Sequence, residues 1–170
     1  SFGRANGDDP FVIYSASSVK PGESSETPDL VKDVKIKNNI VYSTWHASGI
    51  TIWGGENIDI MNNLVCDVSG GGGISLNAWG WNTCATNNVW ITHNRIERCG
   101  NQATDGQQTG AISIVPGKAV EGCNNKYMNT YFDSNEFIDN PYLLMRISSQ
   151  NGADEVLFDM NYNYARNSCL

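Results

Sequence analysis

No apolar run in the 170 residues reaches the roughly 18–20 needed to cross a bilayer as a helix, and the N-terminus carries neither a basic stretch nor an apolar one of signal-peptide type. Cationic residues are scarce, 11 Lys+Arg against 18 Asp+Glu for a net charge of -7, and they form no patch, which argues against a nucleic-acid partner as well as a membrane one. C-x-x-C is absent, so the five cysteines do not read as a zinc or thioredoxin-type site, and the lack of any N-x-S/T removes support for N-glycosylation. G-x-S-x-G, H-E-x-x-H, P-loop and dinucleotide fingerprints are missing too. The run Gly70–Gly73 has no following Lys or helix and reads as a tight turn rather than a phosphate cradle.

What remains is a turn-rich β composition: 17 Gly, abundant Asn, five Trp and no long stretch of helix formers. Five Cys in such an acidic chain fit a secreted protein with one or two disulfides. The pairs expected are Cys84–Cys123 and Cys66–Cys99, with Cys169 left over; five reduced thiols would instead indicate a cytoplasmic protein. The chain opens Ser1-Phe2-Gly3 without an initiator Met, as expected of a mature or excised product.

One pattern recurs, apolar-x-apolar-x-x-Asn-x-apolar, in Val34–Val41, Ile58–Val65, Val89–Ile96 and, more weakly, Thr130–Phe137 and Val156–Asn163. Its Asn falls at Asn39, Asn63, Asn94, Asn135 and Asn161, at intervals of 24, 31, 41 and 26 residues. A second strand follows the first four copies, in Gly49–Ile52, Gly73–Leu76, Ala111–Ile114 and Leu144–Ile147, with Phe11–Tyr14 as an opening instance. Strands this short cannot bury an apolar face as isolated hairpins, whereas parallel coils stacked about 4.8 Å apart can. The expected fold is an all-β, right-handed, single-stranded parallel β-helix of about five coils with an Asn ladder. It forms one domain over 1–170: a partial first coil and loop over 1–30, repeat coils over 31–163 and a tail over 164–170. Asn163 falls where an apolar residue belongs, so the core is expected to close there.

The N-N-x-V turns and G-I-x-I strands make residues 31–163 resemble the parallel β-helix repeats of the pectate-lyase-like superfamily, which includes polysaccharide lyases, glycoside hydrolases, pectin methylesterases, alginate epimerases and phage tailspikes. Family solenoids usually carry an N-terminal helical cap and more coils, so the chain is expected to be a fragment of a longer β-helix or to stack on a partner or on itself. The resemblance implies that an extended polysaccharide lies in a groove along the G-I-x-I strand, walled by the flanking loops.

Those loops hold Trp45, Trp53, Trp79 and Trp81, which either stack on sugar faces or pack the loops against the solenoid. Asp67, Asp105, Arg146 and His46 are the candidate catalytic residues. Paired carboxylates serve glycoside hydrolysis, and a base with Arg or Ca²⁺ serves lyase chemistry; the alternative is that they are solvated or cap turns. Asp133 and Asp159 are expected in one outward column on adjacent coils, where like charges would share a proton or Ca²⁺. His93 reads as a structural turn residue. The function expected is a carbohydrate-active protein, a glycoside hydrolase before a polysaccharide lyase. The alternative is a non-catalytic glycan-binding, adhesin or tailspike-like β-helix, favoured by the small neutral Thr51, Ser75 and Ser113 on the groove strand.

Overall fold

The structure is a computed structural model describing residues 2–4, 7–15, 30–78, 86–100, 109–116, 128–147 and 156–168. The first circuit of the chain is β1 (Phe2–Arg4), β2 (Phe11–Tyr14) and β3 (Lys32–Lys37), and the second is β4 (Ile40–Tyr42), β5 (Ile50–Trp53) and β6 (Gly55–Met61). The third is β7 (Leu64–Cys66), β8 (Ile74–Ala78) and β9 (Thr86–Thr92), and the fourth β10 (Arg95–Glu97), β11 (Ile112–Pro116) and β12 (Met128–Asp133). The fifth is β13 (Glu136–Ile138), β14 (Met145–Ile147) and β15 (Val156–Asn161), after which β16 (Tyr164–Arg166) opens a sixth. Each strand pairs in parallel with the strand three places on, giving sheets β1-β4-β7-β10-β13-β16, β2-β5-β8-β11-β14 and β3-β6-β9-β12-β15. No helix occurs among the described residues. Three parallel sheets visited in rotation are consistent with a parallel β-helix, and Phe11–Tyr14 does open the second sheet as its spacing predicted.

Alternation sends every second residue of each strand inward, and parallel register stacks like on like. The inward columns include Ile36, Ile60, Ile91 and Phe132 from the third sheet, Val41, Val65, Ile96 and Phe137 from the first, and Ile52, Leu76 and Ile114 from the second. From Ile60 to Phe132 and from Val41 to Phe137 these side chains are fully buried. Burying each Ile or Phe contributes about 1.5–3 kcal/mol, which is how strands too short for hairpins are held.

Between the third and first sheets the chain turns through a residue at positive φ: Asn38, Asn62, His93, Ser134 and Tyr162. The left-handed position thus immediately precedes the ladder Asn, and His93 is there for the turn. The ladder residues point inward. Asn39 Nδ2 donates to Asn63 Oδ1 at 3.0 Å, Asn63 Nδ2 to Asn94 Oδ1 at 2.9 Å, and Asn94 Nδ2 to Asn135 Oδ1 at 3.0 Å.

The last rung differs from the sequence expectation. Asn135 Nδ2 donates to Oδ1 of Asn163, at 2.9 Å, and not to Asn161. The fifth copy of the repeat therefore sits two residues further along, with Phe158 under Thr130 and Met160 under Phe132. Asn163 continues the ladder where it had been expected to break the core. The core does thin here, since Phe158 and Met160 are 48% and 38% exposed. A second corner stack follows β10 and β13, where Asn140 accepts the Cys99 N–H at 2.8 Å and donates to the Ile96 carbonyl at 3.1 Å.

Candidate functional site

The outward face of the second sheet carries two columns, Val12-Thr51-Ser75-Ser113-Arg146 and Tyr14-Trp53-Asn77-Val115. Thr51, Ser75 and Ser113 point away from the apolar core yet are only 1%, 3% and 4% exposed, so this face is enclosed. A cleft of about 220 Å³ runs over it, lined by Trp53, Ser75, Asn77, Ser113 and Arg146, with Ser48, Gly71 and Gly72 on one wall. The glycines keep that wall close, for a Cβ on Gly72 would come within 3.0 Å of both Ser75 Oγ and Ser113 Oγ. Ser48 Oγ and Ser75 Oγ share a hydrogen bond of 2.7 Å. Ser113 Oγ is buried without a partner, and the Asn77 side chain also lines the cleft. A buried polar group left unpaired costs about 1–3 kcal/mol, which a ligand in the cleft would recover.

At the upper end, beside Ser48 and Thr51, lies a half-buried carboxylate that the sequence reading passed over, Asp9. Its Oδ1 accepts the Ser48 N–H and the Thr51 hydroxyl, both at 2.7 Å. Burial raises its pKa above 3.8, partly offset by the Thr51 and Ser48 hydrogen bonds, with nearby His46 also pulling it down. Asp8-Asp9-Pro10 directly before the first apolar strand was the available signal: a Pro with φ preset, entering a strand behind an acid.

The chain matches no protein-family model, no curated protein and no solved structure.

Of the residues singled out from sequence, Trp53 and Arg146 line the cleft. His46 is exposed near its upper end, edge-on to the Trp45 ring with centroids 5.8 Å apart. Trp45 is 64% exposed and packs over Gly7. Trp79, Trp81 and Asp105 lie outside the described residues, as do Cys84, Cys123 and Cys169.

Asp67 is held elsewhere. Both its oxygens are clasped by Arg98 from the next coil, at 2.6 Å from Nε and 3.0 Å from the second terminal nitrogen, and Arg98 also pairs with Glu97. The Arg98 hydrogen bonds outweigh burial and lower the Asp67 pKa below 3.8, the reverse of what a general acid needs. Asp67 and Asp9 thus load the pH dependence of stability with opposite signs. Asp67, its pKa depressed, contributes stability that is present above 3.8 and lost as pH falls through its folded value. Asp9, its pKa raised, is most favourable below 3.8 and costs stability as pH rises through its folded value. In urea titrations between about pH 3 and pH 7, Asp67→Asn is expected to lose up to about 1 kcal/mol at neutral pH and converge with the parent in acid. Asp9→Asn is expected to gain on the parent as pH rises. Parallel curves for both variants would refute these assignments.

Two further expectations are corrected. Asp133 stands opposite Asn161, and Asp159 opposite Tyr131, so the two carboxylates do not share a column, because the fifth copy is displaced by two residues. No group of three or more His, Cys, Asp or Glu that could hold a metal is found among the described residues. Cys66 and Cys99 are free thiols rather than a disulfide. Cys66 stands opposite Glu97 in the register, while Cys99 has passed beyond it and points its Sγ at the Val65 and Glu97 carbonyls at 3.4 and 3.3 Å. Burial pushes the Cys99 thiol up to about 12 and raises Cys66 as well, so neither is a nucleophile at neutral pH.

Proposed function

We propose that this chain is a right-handed parallel β-helix of the carbohydrate-active, pectate-lyase-like kind, and that it binds or acts on an extended polysaccharide lying in the cleft over β5, β8, β11 and β14. The observation that carries the reading is the cleft floor. Trp53 offers an apolar ring, the Ser113 hydroxyl is buried without a partner, and the Asn77 amide lines the cleft with them. An aromatic edge with a few amide and hydroxyl groups is what a sugar ring, apolar on its faces and hydroxylated at its rim, requires. The parallel stacking repeats this floor about every 4.8 Å, so a repeating polymer meets a repeating surface. An extracellular location belongs to the same proposal and rests on the acidic, Gly/Asn-rich composition.

A specific observation favours the non-catalytic form of this reading. Glycoside hydrolysis needs two carboxylates about 5–9.5 Å apart. None lines the cleft among its described residues; Asp9 sits at one end and Asp67 is taken by Arg98.

The test is a screen of the purified chain against neutral and acidic polysaccharides, with and without Ca²⁺, following binding, reducing ends and unsaturated products. Reducing ends indicate a hydrolase and unsaturated products a lyase. Binding without turnover, abolished by Trp53→Ala, indicates a glycan-binding module. Absence of binding to every glycan by the folded chain overturns the proposal.

A further inference from the structure

On the third sheet, away from the cleft, one outward column reads Lys35, Asp59, Trp90, Tyr131, Asp159. The Trp90 and Tyr131 rings stack, with centroids 5.5 Å and planes 14° apart, although both residues are more than a third exposed. Below Tyr131 the column passes to Asp159, too short a side chain to extend the stack, and a cavity of about 240 Å³ opens there. Asn129, Tyr131, Leu157 and Asp159 supply its outward side chains, with Thr130 and Phe158 between them. Pockets that enclose a drug-sized molecule run to about 300–1,000 Å³, so this one matches a single inserted side chain.

Charge divides the same face. Above the rings the acids are balanced across the strands, Glu56 by Lys32 at 2.8 Å and Asp59 by Lys35 at 2.9 Å. Below Trp90 the outward acids are Asp133 and Asp159, and none of β9, β12 and β15 carries a Lys or Arg. A group entering the cavity meets one aromatic face, the apolar Leu157 and two acceptors, the Asp159 carboxylate and the Asn129 amide oxygen. The Asn129 nitrogen is tied to Asn87 Oδ1 on the coil above at 2.8 Å. A planar cation with several N–H donors answers all of these at once: a guanidinium stacks on a ring, forks onto a carboxylate and lays its methylene stem along an apolar wall.

We infer that this cavity is a docking site for an arginine side chain presented by a partner protein. The rings turn their faces along the column, toward each other and toward Asp159, so a polymer lying across the sheet would meet edges rather than a flat sugar platform. Arginine inserted into a pocket is a common anchor of protein interfaces, and a chain of net charge -7 draws a basic partner to it. The inference stands on the third sheet and is independent of the glycan reading.

The experiment titrates the folded chain with three capped, glycine-flanked peptides bearing arginine, lysine or citrulline, the neutral isostere of arginine, and follows amide NMR shifts. The arginine peptide is expected to shift Tyr131, Leu157 and Asp159, with the citrulline peptide binding about tenfold or more weakly and lysine falling between them. Asp159→Asn, a change at an exposed position that leaves the fold intact, is expected to remove the advantage of arginine over citrulline. Tyr131→Phe is expected to keep binding and Tyr131→Leu to lose it. Equal affinity for arginine and citrulline, or no shift around the cavity, overturns the inference. So would oligosaccharides that shift Tyr131 where the arginine peptide does not, which would make this face a sugar site. Shifts at Tyr131 that grow with protein concentration alone and vanish in Asp159→Asn would replace the partner protein with a second copy of this chain.

Discussion

Asn94→Ala is expected to lower the stability of the folded chain by about 3–5 kcal/mol, the largest loss of any single ladder truncation. Asn94 is 1% exposed and occupies the centre of the stack. Its Oδ1 accepts the Asn63 backbone N–H at 3.0 Å and Asn63 Nδ2 at 2.9 Å. Its Nδ2 donates to the Ile60 carbonyl at 2.8 Å and to Asn135 Oδ1 at 3.0 Å. Truncation strands these partners in a corner that water does not reach, and each stranded group costs about 1–3 kcal/mol before the turn relaxes. Asn94→Asp keeps the acceptors but loses the donors and sets a carboxylate against the Ile60 carbonyl, so it is expected to do no better. At the end of the stack the same change costs less: Asn163→Ala is expected to lose about 1 kcal/mol and Asn161→Ala close to nothing, since Asn161 is exposed and not a rung. Urea midpoints of the four variants check the series. An Asn94→Ala midpoint equal to the parent's would sink the ladder as a source of stability, and a larger loss at Asn161 than at Asn163 would reverse the register of the last coil.

That register shows where one sequence stops informing. Val34, Ile58, Val89 and Thr130 begin copies whose spacing alone places them opposite one another, and the structure pairs them so. In the fifth copy Val156-x-Phe158-x-x-Asn161 and Phe158-x-Met160-x-x-Asn163 both fit the first six positions, because a slip of two residues preserves alternation, and only the second places an apolar residue, Ala165, at the last one. The neighbouring coil takes that second register, setting Phe132 on Met160 and Phe137 on Ala165. The Asp133–Asp159 pair fell with that slip. The cleft was legible in part: alternation alone turns Arg146 outward, and the G-I-x-I strands do form its floor. Asp67 was legible as a loop acid, but its partner Arg98 comes from 31 residues away, and no local pattern announces it. Asp9 precedes every repeat and reaches Thr51 across 42 residues. Thr51, Ser75 and Ser113 read as merely small; their near-complete burial on an outward face is a property of the walls around them.

Gly70→Ala is expected to cost more than about 3 kcal/mol or to displace the adjoining turn, although Ala is ordinarily the mildest of substitutions. A Cβ at position 70 would lie 2.2 Å from the His46 carbonyl carbon, 2.4 Å from its Cα and 2.5 Å from its oxygen. All three are backbone atoms, so no rotamer change relieves the overlap and one coil must move away from the next. Gly7 makes the useful contrast, because a Cβ there would meet the Trp45 ring at 2.8 Å, and an exposed ring can swing aside. Gly7→Ala is accordingly expected to cost under about 1 kcal/mol. The displacement at Gly70 would reach the cleft through a short path. His46 is two residues from Ser48, whose N–H is held by Asp9 at 2.7 Å and whose hydroxyl meets Ser75 at 2.7 Å. Amide NMR of a folded Gly70→Ala chain should therefore show Ser48 and Thr51 shifted along with His46, while Asn94 and Asn135 in the opposite corner stay in place. A stable variant with an unmoved Ser48 would refute the close approach. The expected result assigns Gly70–Gly73 to holding one coil against another at the upper wall of the cleft, a packing task that the lack of a following Lys or helix already favoured over phosphate binding.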